Sequence, residues 1–247
     1  IEQFKKLHYI QLTSAGMERV PLEYVKENKI VLYNAAGVYS IPMAEWIVLK
    51  ILEIYKNAPH FYRAQSERKW EKERSLLELY GKKALIVGMG EVGKETARRL
   101  KAFGVTVIAS NRTRKMIQEV DTWITLEEVD ACLPEADIVI VTLALTEQTK
   151  NFFHRDRLKK MKKEAVFVNV ARGGLVDETT LAEFMAQGNL LGAALDVVEH
   201  EPLPVESPLW DQERLLITPH NSYVSDGNRE RLYQVIKTNL EKYLRDR

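Results

Sequence analysis

Arg172, Asp196, Glu201 and His220 stand apart in this sequence because each follows an apolar run that reads as a β-strand. Arg172 comes just past VFVN, Asp196 follows GAAL with Glu201 close behind, and His220 comes after LLITP. An arginine presents a planar fork of donors suited to an oxyanion, and a histidine exchanges a proton near neutral pH. Taken singly, each residue has a plainer reading: a turn cation before Gly173 and Gly174, a solvated surface acid, a capped loop histidine after Pro219. Convergence raises them above that. In an open parallel sheet the carboxyl ends of the strands share one edge, and ligands bind along it.

A glycine loop belongs to the same edge. The strand LIV runs into GMGEVG, which sets Gly88, Gly90 and Gly93 at the spacing G-x-G-x-x-G ahead of a helix. The first glycine permits the tight turn, the second lets a pyrophosphate approach the backbone, and the third lets helix and strand pack closely. The phosphates would rest on the helix N-terminus, where unpaired N–H groups and the helix dipole favour anions. Strand, loop, helix and second strand occur in order, so the loop reads as a dinucleotide site. The second strand ends at Ser110, where a ribose-binding carboxylate normally stands; here Asn111 and Arg112 follow instead. A neutral residue removes the repulsion of a 2′-phosphate, and Arg112 supplies attraction. Ser110 adds a hydroxyl, and Arg114 or Lys115 deepens the positive potential. The expected cofactor is NADP, with NAD also admitted; the plainer reading is a solvated basic loop.

Elements that would position these residues are legible from Leu85 onward. The runs ALIV, VTVIAS, DIVIVTLAL, AVFVNV, LLGAALDVV and LLIT alternate with helical patterns. Strands apolar throughout and separated by helices predict a parallel sheet covered on both faces, a doubly wound α/β domain of Rossmann type. A helix over Val92 to Phe103 places Val92, Ala97, Leu100 and Phe103 on one side, with Gly104 as its C-terminal stop. Before Leu85, HYIQLTSAG and KIVLYNAAG read as two strand-and-turn units. IPMAEWIVLKILEIYKNAPHFYRAQ reads as a long helix with Pro42 in its first turn, bent or broken near Pro59. The charged stretch SERKWEKER then leads into the sheet domain.

Composition narrows the classes of function. Lys and Arg number 36 against 35 Asp and Glu in 247 residues, so there is no basic field of the kind that draws a protein onto nucleic acid or anionic lipid. The run from Ile138, even extended to Leu145, falls far short of the ~20 residues that span a bilayer. The single Cys132 reads as packing in a reducing cytoplasm, and no Cys or His cluster has metal-ligand spacing. In RLKKMKK, Leu158 and Met161 point to a helix end with solvated lysines rather than a binding patch. The opening IEQFKKLHYIQL begins as if in mid-element, and a preceding segment is expected.

The motifs together resemble the D-isomer-specific 2-hydroxyacid dehydrogenases: TSAG, AEW, GMGEVG, VNVARGGLVDE, ALDVVEHEPLP and TPHN, across essentially all of the chain. The resemblance implies Arg172, Glu201 and His220 as a catalytic triad and Asp196 as a cofactor-side carboxylate. It implies Ala15 and Gly16 in the loop that receives the substrate carboxylate, and Glu91, Val92, Val170 and Ala171 as cofactor contacts. Reducing a small 2-keto acid needs a hydride, a proton and a cation for the carboxylate. Arg172 and His220 suit the last two, with Glu201 stabilising the imidazolium, and no metal is required.

The implied organisation is an incomplete, flavodoxin-like substrate domain from residues 1–45 and 220–247, an interdomain helix and dimer arm over 46–80, and the dinucleotide-binding domain over 81–219. A homodimer is expected through the helix from Pro42 and the arm ending near Trp70. The rival reading is a dinucleotide-sensing, corepressor-like binding protein. Relatives with formate dehydrogenase activity pair the histidine with Gln, which Glu201 is not.

Overall fold

The computed structural model describes residues 1, 3–4, 6–17, 19–111 and 117–246. The chain divides into two compact units, Ile1–Ile41 with Tyr223–Arg247, and Pro42–Ser222.

In the first unit, β1 (Tyr9–Gln11), α1 (Leu22–Glu27) and β2 (Val31–Tyr33) form a β-α-β step, the two strands pairing in parallel from Tyr9 opposite Val31 to Gln11 opposite Tyr33. Helix α2 (Ser40–Tyr55) begins here and continues into the second unit. It ends before Asn57, which adopts a left-handed φ of 48°, and α3 (Ala58–Ser66) restarts with Pro59 in its first turn. The break expected near Pro59 is therefore a full restart, because proline suits the opening of a helix and not its interior.

The second unit is built on a seven-stranded, wholly parallel sheet: β3 (Lys83–Val87), β4 (Thr106–Ser110), β5 (Thr122–Ile124), β6 (Ile138–Val141), β7 (Val166–Asn169), β8 (Gly192–Leu195) and β9 (Leu215–Ile217). Their order across the sheet is β5-β4-β3-β6-β7-β8-β9, the doubly wound Rossmann pattern predicted above. The order reverses between β3 and β6, and the crevice beyond their carboxyl ends is the topological switch point. Helix α4 (Glu91–Ala102) follows β3. Two one-turn helices, α5 (Val129–Cys132) and α6 (Arg155–Leu158), come before and after β6, and α7 (Glu178–Ala186) follows β7. Helix α8 (Asn228–Arg245) belongs to the first unit; there Asn239 donates to Gln11 Oε1 at 3.0 Å and Tyr243 packs on Tyr9.

The strands are apolar throughout because alternate side chains enter two separate cores. Leu85, Val87, Val139, Val141 and Phe167 pack on one face with Phe153, Leu175 and Leu181. Ala84, Ile86, Ile138, Ile140 and Val168 pack on the other with Ile47, Ile51, Ala97 and Leu100. The α2 residues Ile47, Ile51 and Ile54 are thus part of the sheet's own covering, which is why this stretch groups with the sheet. Phe103, expected on the buried side of α4, is 42% exposed; the helix ends one residue earlier, and Gly104, at φ 73°, turns the chain away. Strand β5 went unpredicted because TWI is three residues long and flanked by Asp121 and Thr125. Leu158 and Met161 are buried, while Lys160 and Lys162 pair with Asp130 and Asp137, so the RLKKMKK stretch is a core-anchored, ion-paired turn.

Candidate active site

Each glycine of the loop after β3 has its own physical reason. Gly88 sits at φ 100°, and a Cβ there would lie 2.6 Å from the Leu143 backbone nitrogen beyond β6. A Cβ on Gly93 would lie 2.7 Å from the Gly88 carbonyl oxygen, so helix and loop touch backbone to backbone. A Cβ on Gly90 would meet nothing within 4 Å. The fold itself makes no demand for glycine at position 90; the open space over it, at the N-terminus of a 12-residue helix, suits a pyrophosphate. Ser222 Oγ, on the same edge of the sheet, is buried with no hydrogen-bond partner among the described residues, a second feature that fits a bound ligand.

The other positions assigned to the cofactor fall as follows. Glu91 opens α4 and pairs with Lys94 at 2.7 Å, and Val92 packs against the core. Val170 is buried and Ala171 half-buried in the loop after β7. Ser110 is wholly buried, and its hydroxyl donates to the Thr125 carbonyl at 3.1 Å. That bond ties the end of β4 to the chain just beyond β5. Asn111 is half-buried at the end of β4, while Arg112, Arg114 and Lys115 lie outside the described residues.

Beyond β7, β8 and β9, three loops are locked together. Asn169, fully buried at the end of β7, accepts from the Ala171 amide at 3.0 Å and donates to the Arg172 carbonyl at 2.9 Å, gripping both sides of the arginine turn. Arg172 Nη1 also donates to the Ala171 carbonyl at 2.6 Å. Asp196, 1% exposed, turns its carboxylate toward the loop after β9. Its Oδ1 accepts from Thr218 Oγ1 at 2.6 Å and from the Asn221 amide at 3.0 Å, and Oδ2 accepts from the Ser222 amide at 3.0 Å. Its carbonyl receives the His220 amide at 2.7 Å. This girdle holds His220 at a left-handed φ of 52°, a conformation costing about 1–2 kcal/mol for a residue other than glycine. The carboxylate of Asp196, read from sequence toward the cofactor, is thus engaged in building the histidine loop.

His220 Nδ1 lies 2.9 Å from Glu201 Oε2, with the two side chains 39% and 41% exposed. A carboxylate on Nδ1 fixes the orientation of the imidazole, with Nε2 on the opposite side of the ring. The arrangement brings His220, Glu201 and the arginine loop to one edge of the second unit. Ala15 and Gly16 lie in the first unit, where Asn34 donates to the Ala15 carbonyl at 2.8 Å, Ser14 to the Gly16 carbonyl at 2.9 Å and Tyr39 to the Thr13 carbonyl at 2.5 Å. Among the described residues no helix is long and apolar enough to cross a membrane, and no group of His, Cys, Asp and Glu is arranged to hold a metal.

The family described as D-isomer specific 2-hydroxyacid dehydrogenase, NAD binding domain, matches residues 48–222, and the chain belongs to that family. D-3-phosphoglycerate dehydrogenase of Methanocaldococcus jannaschii is 30% identical over 247 residues, covering 99% of this chain and 47% of that protein. The glyoxylate reductase of Korarchaeum cryptofilum is 28% identical, covering 99% and 75%. The chain therefore spans about half the length of the first relative and three quarters of the second. Among solved structures, the family member from Xanthobacter autotrophicus Py2 in complex with NADPH and MES is 33% identical with a TM-score of 0.72, over 81% of each chain. The TT0316 protein from Thermus thermophilus is 33% identical with a TM-score of 0.82, covering 94% of this chain and 74% of that one.

Sequence reasoning missed Asn169 and Glu178. Asn169 left a signal, a polar residue inside an otherwise apolar strand; Glu178 was hidden in VDE, where an acid after an Asp N-cap is ordinary helix-start chemistry.

Proposed function

We propose that the protein reduces a small 2-keto acid to the D-2-hydroxy acid, with NADPH preferred over NADH. The observation that carries the reading is the 2.9 Å contact between His220 and Glu201 on the edge that also holds the arginine loop and the glycine loop. Arg172 pairs with substrate oxygens through its planar fork. His220 transfers a proton from Nε2 to the carbonyl oxygen as the carbonyl becomes an alcohol, and Glu201 holds the opposite nitrogen and stabilises the imidazolium. The glycine loop Gly88–Gly93 would hold the pyrophosphate of a reduced nicotinamide dinucleotide, which would supply the hydride for the carbonyl carbon. Amides of the Ala15–Gly16 loop would receive the substrate carboxylate.

Support for NADPH is the absence of a carboxylate at Asn111 and the cation Arg112 beside it in sequence, together with the NADPH complex of the 33% identical relative. A cytoplasmic, reducing location suits the single Cys132. A homodimer is supported by the arm after α3: residues 69–78 have no regular secondary structure, Trp70 is 95% exposed, and a cleft of about 540 Å³ lies among Phe61, Ala64, Arg68 and Trp70. The test is a panel of glyoxylate, hydroxypyruvate and pyruvate assayed with NADH and NADPH. Oxidation of neither cofactor with any acid would leave a dinucleotide-binding protein without this activity.

A further inference from the structure

Glu178 opens α7, directly after the arginine turn, yet its side chain reaches across to the glutamate loop. Its Oε1 accepts from the Glu199 amide at 2.6 Å. That amide lies two residues before Glu201, whose own Oε1 faces the Val198 amide at 3.4 Å. A second feature joins the same two loops. Gly173, which follows Arg172, is pressed so closely on the peptide between Val198 and Glu199 that a Cβ would fall 1.9 Å from the Val198 carbonyl carbon. The helix start itself needs nothing from Glu178, because Asp177 already caps it by accepting from the Thr180 amide at 2.9 Å. A half-buried carboxylate aimed away from its own helix is costly unless it is used.

We propose that Glu178 is a positioning residue that clips the loop carrying Glu201 to the loop carrying Arg172, and so holds Glu201 where it meets His220. The inference rests on the Glu201–His220 pairing proposed above. Glu178 lies among Glu199, His200 and Glu201. Burial pushes its carboxyl above the ordinary range, the Glu199 hydrogen bond opposes this, and the Glu199 and Glu201 charges add to the rise while His200 opposes it. A carboxyl of this kind is used as an acceptor, and a neutral amide should serve nearly as well.

The test compares Glu178→Ala with Glu178→Gln in the full protein, alone and with Glu201→Gln. Glu178→Ala should lower kcat about tenfold, as expected for losing one well-made hydrogen bond to a buried or charged group, with KM for the keto acid changed less than kcat. Dinucleotide affinity, read by nicotinamide fluorescence, should stay within about twofold. Glu178→Gln retains the acceptor and should restore kcat. On the Glu201→Gln background, Glu178→Ala should cost nothing further, because the two act as one unit. Equal loss in alanine and glutamine variants, additive losses, or an alanine variant with wild-type kcat would overturn the clip. If Glu201→Gln itself changed nothing, the pairing would fail instead. Cooperative melting checks folding; if the alanine variant and Glu178→Ser both failed it, Glu178 would be a stability residue and the proposal wrong.

Discussion

Replacing Gly90 by alanine should separate folding from cofactor binding. Gly90 adopts φ −87° and ψ −160°, which any residue tolerates, and a Cβ meets nothing within 4 Å. Loss of unfolded-state freedom stabilises such a change by about 0.4–1 kcal/mol, while alanine is a poorer N-cap than glycine by a similar amount. The melting temperature should therefore move by no more than a few degrees. The neighbouring substitution behaves oppositely. Gly88→Ala forces a Cβ to 2.6 Å from Leu143 nitrogen at φ 100°; overpacking at about 1–3 kcal/mol and backbone strain at about 1–2 kcal/mol lower Tm by roughly 5–20 °C for a chain of this size. In Gly90→Ala the methyl instead occupies the space in which a pyrophosphate would meet the backbone. A misfit of about 1–3 kcal/mol weakens binding about five- to 150-fold. Nicotinamide fluorescence titration beside a thermal melt measures both quantities. A Gly90→Ala protein that melts normally and binds NADPH like wild type would refute the placement of the phosphates, and one that melts like Gly88→Ala would refute the packing argument.

His220→Ala should reduce kcat by roughly 10²–10⁴ while dinucleotide affinity persists, since only the proton donor is removed; near wild-type turnover would take His220 out of the mechanism. Glu201→Gln should lower kcat about tenfold or more while dinucleotide affinity persists, because it removes the charge-assisted contact 2.9 Å from His220 Nδ1; unchanged turnover would dissolve the pair. Arg112→Ala should remove a roughly ten- to hundredfold preference for NADPH, the worth of one charge-assisted contact, and equal weakening of NADH would show a merely basic loop. For stability, Asp137 at the start of β6 accepts from Lys162 Nζ at 2.6 Å and from the Lys83 amide at 2.9 Å. Burial pushes its carboxyl up, but these bonds and the Lys162 and Lys82 charges hold it net below the ordinary range. Its contribution is complete above the ordinary carboxylate value and lost as pH falls through the lower folded one. Asp137→Asn should cost about 1 kcal/mol at neutral pH, discounted because Lys162 is partly exposed, and the gap should close in acid melts.

Much of this molecule was legible without coordinates. Six of the seven strands of the large sheet, all but β5, announced themselves because a sheet covered on both faces requires apolar residues at every position. The loop glycines did so because tight turns and close approaches tolerate little else. Pro42 marked a helix start and Pro59 a bend or break, for the same kind of local, backbone reason. These are short-range constraints, and a window of a dozen residues contains them. Side-chain direction across the strand ends was not legible. That Ser110 turns its hydroxyl to Thr125, that Asp196 faces the histidine loop and that Glu178 crosses to Glu199 all depend on which elements lie side by side. Adjacency in the order β7-β8-β9 joins residues tens of positions apart. Chain periodicity carries no information about such pairs, because their geometry is decided when buried polar groups with no access to water must find partners across the assembled sheet.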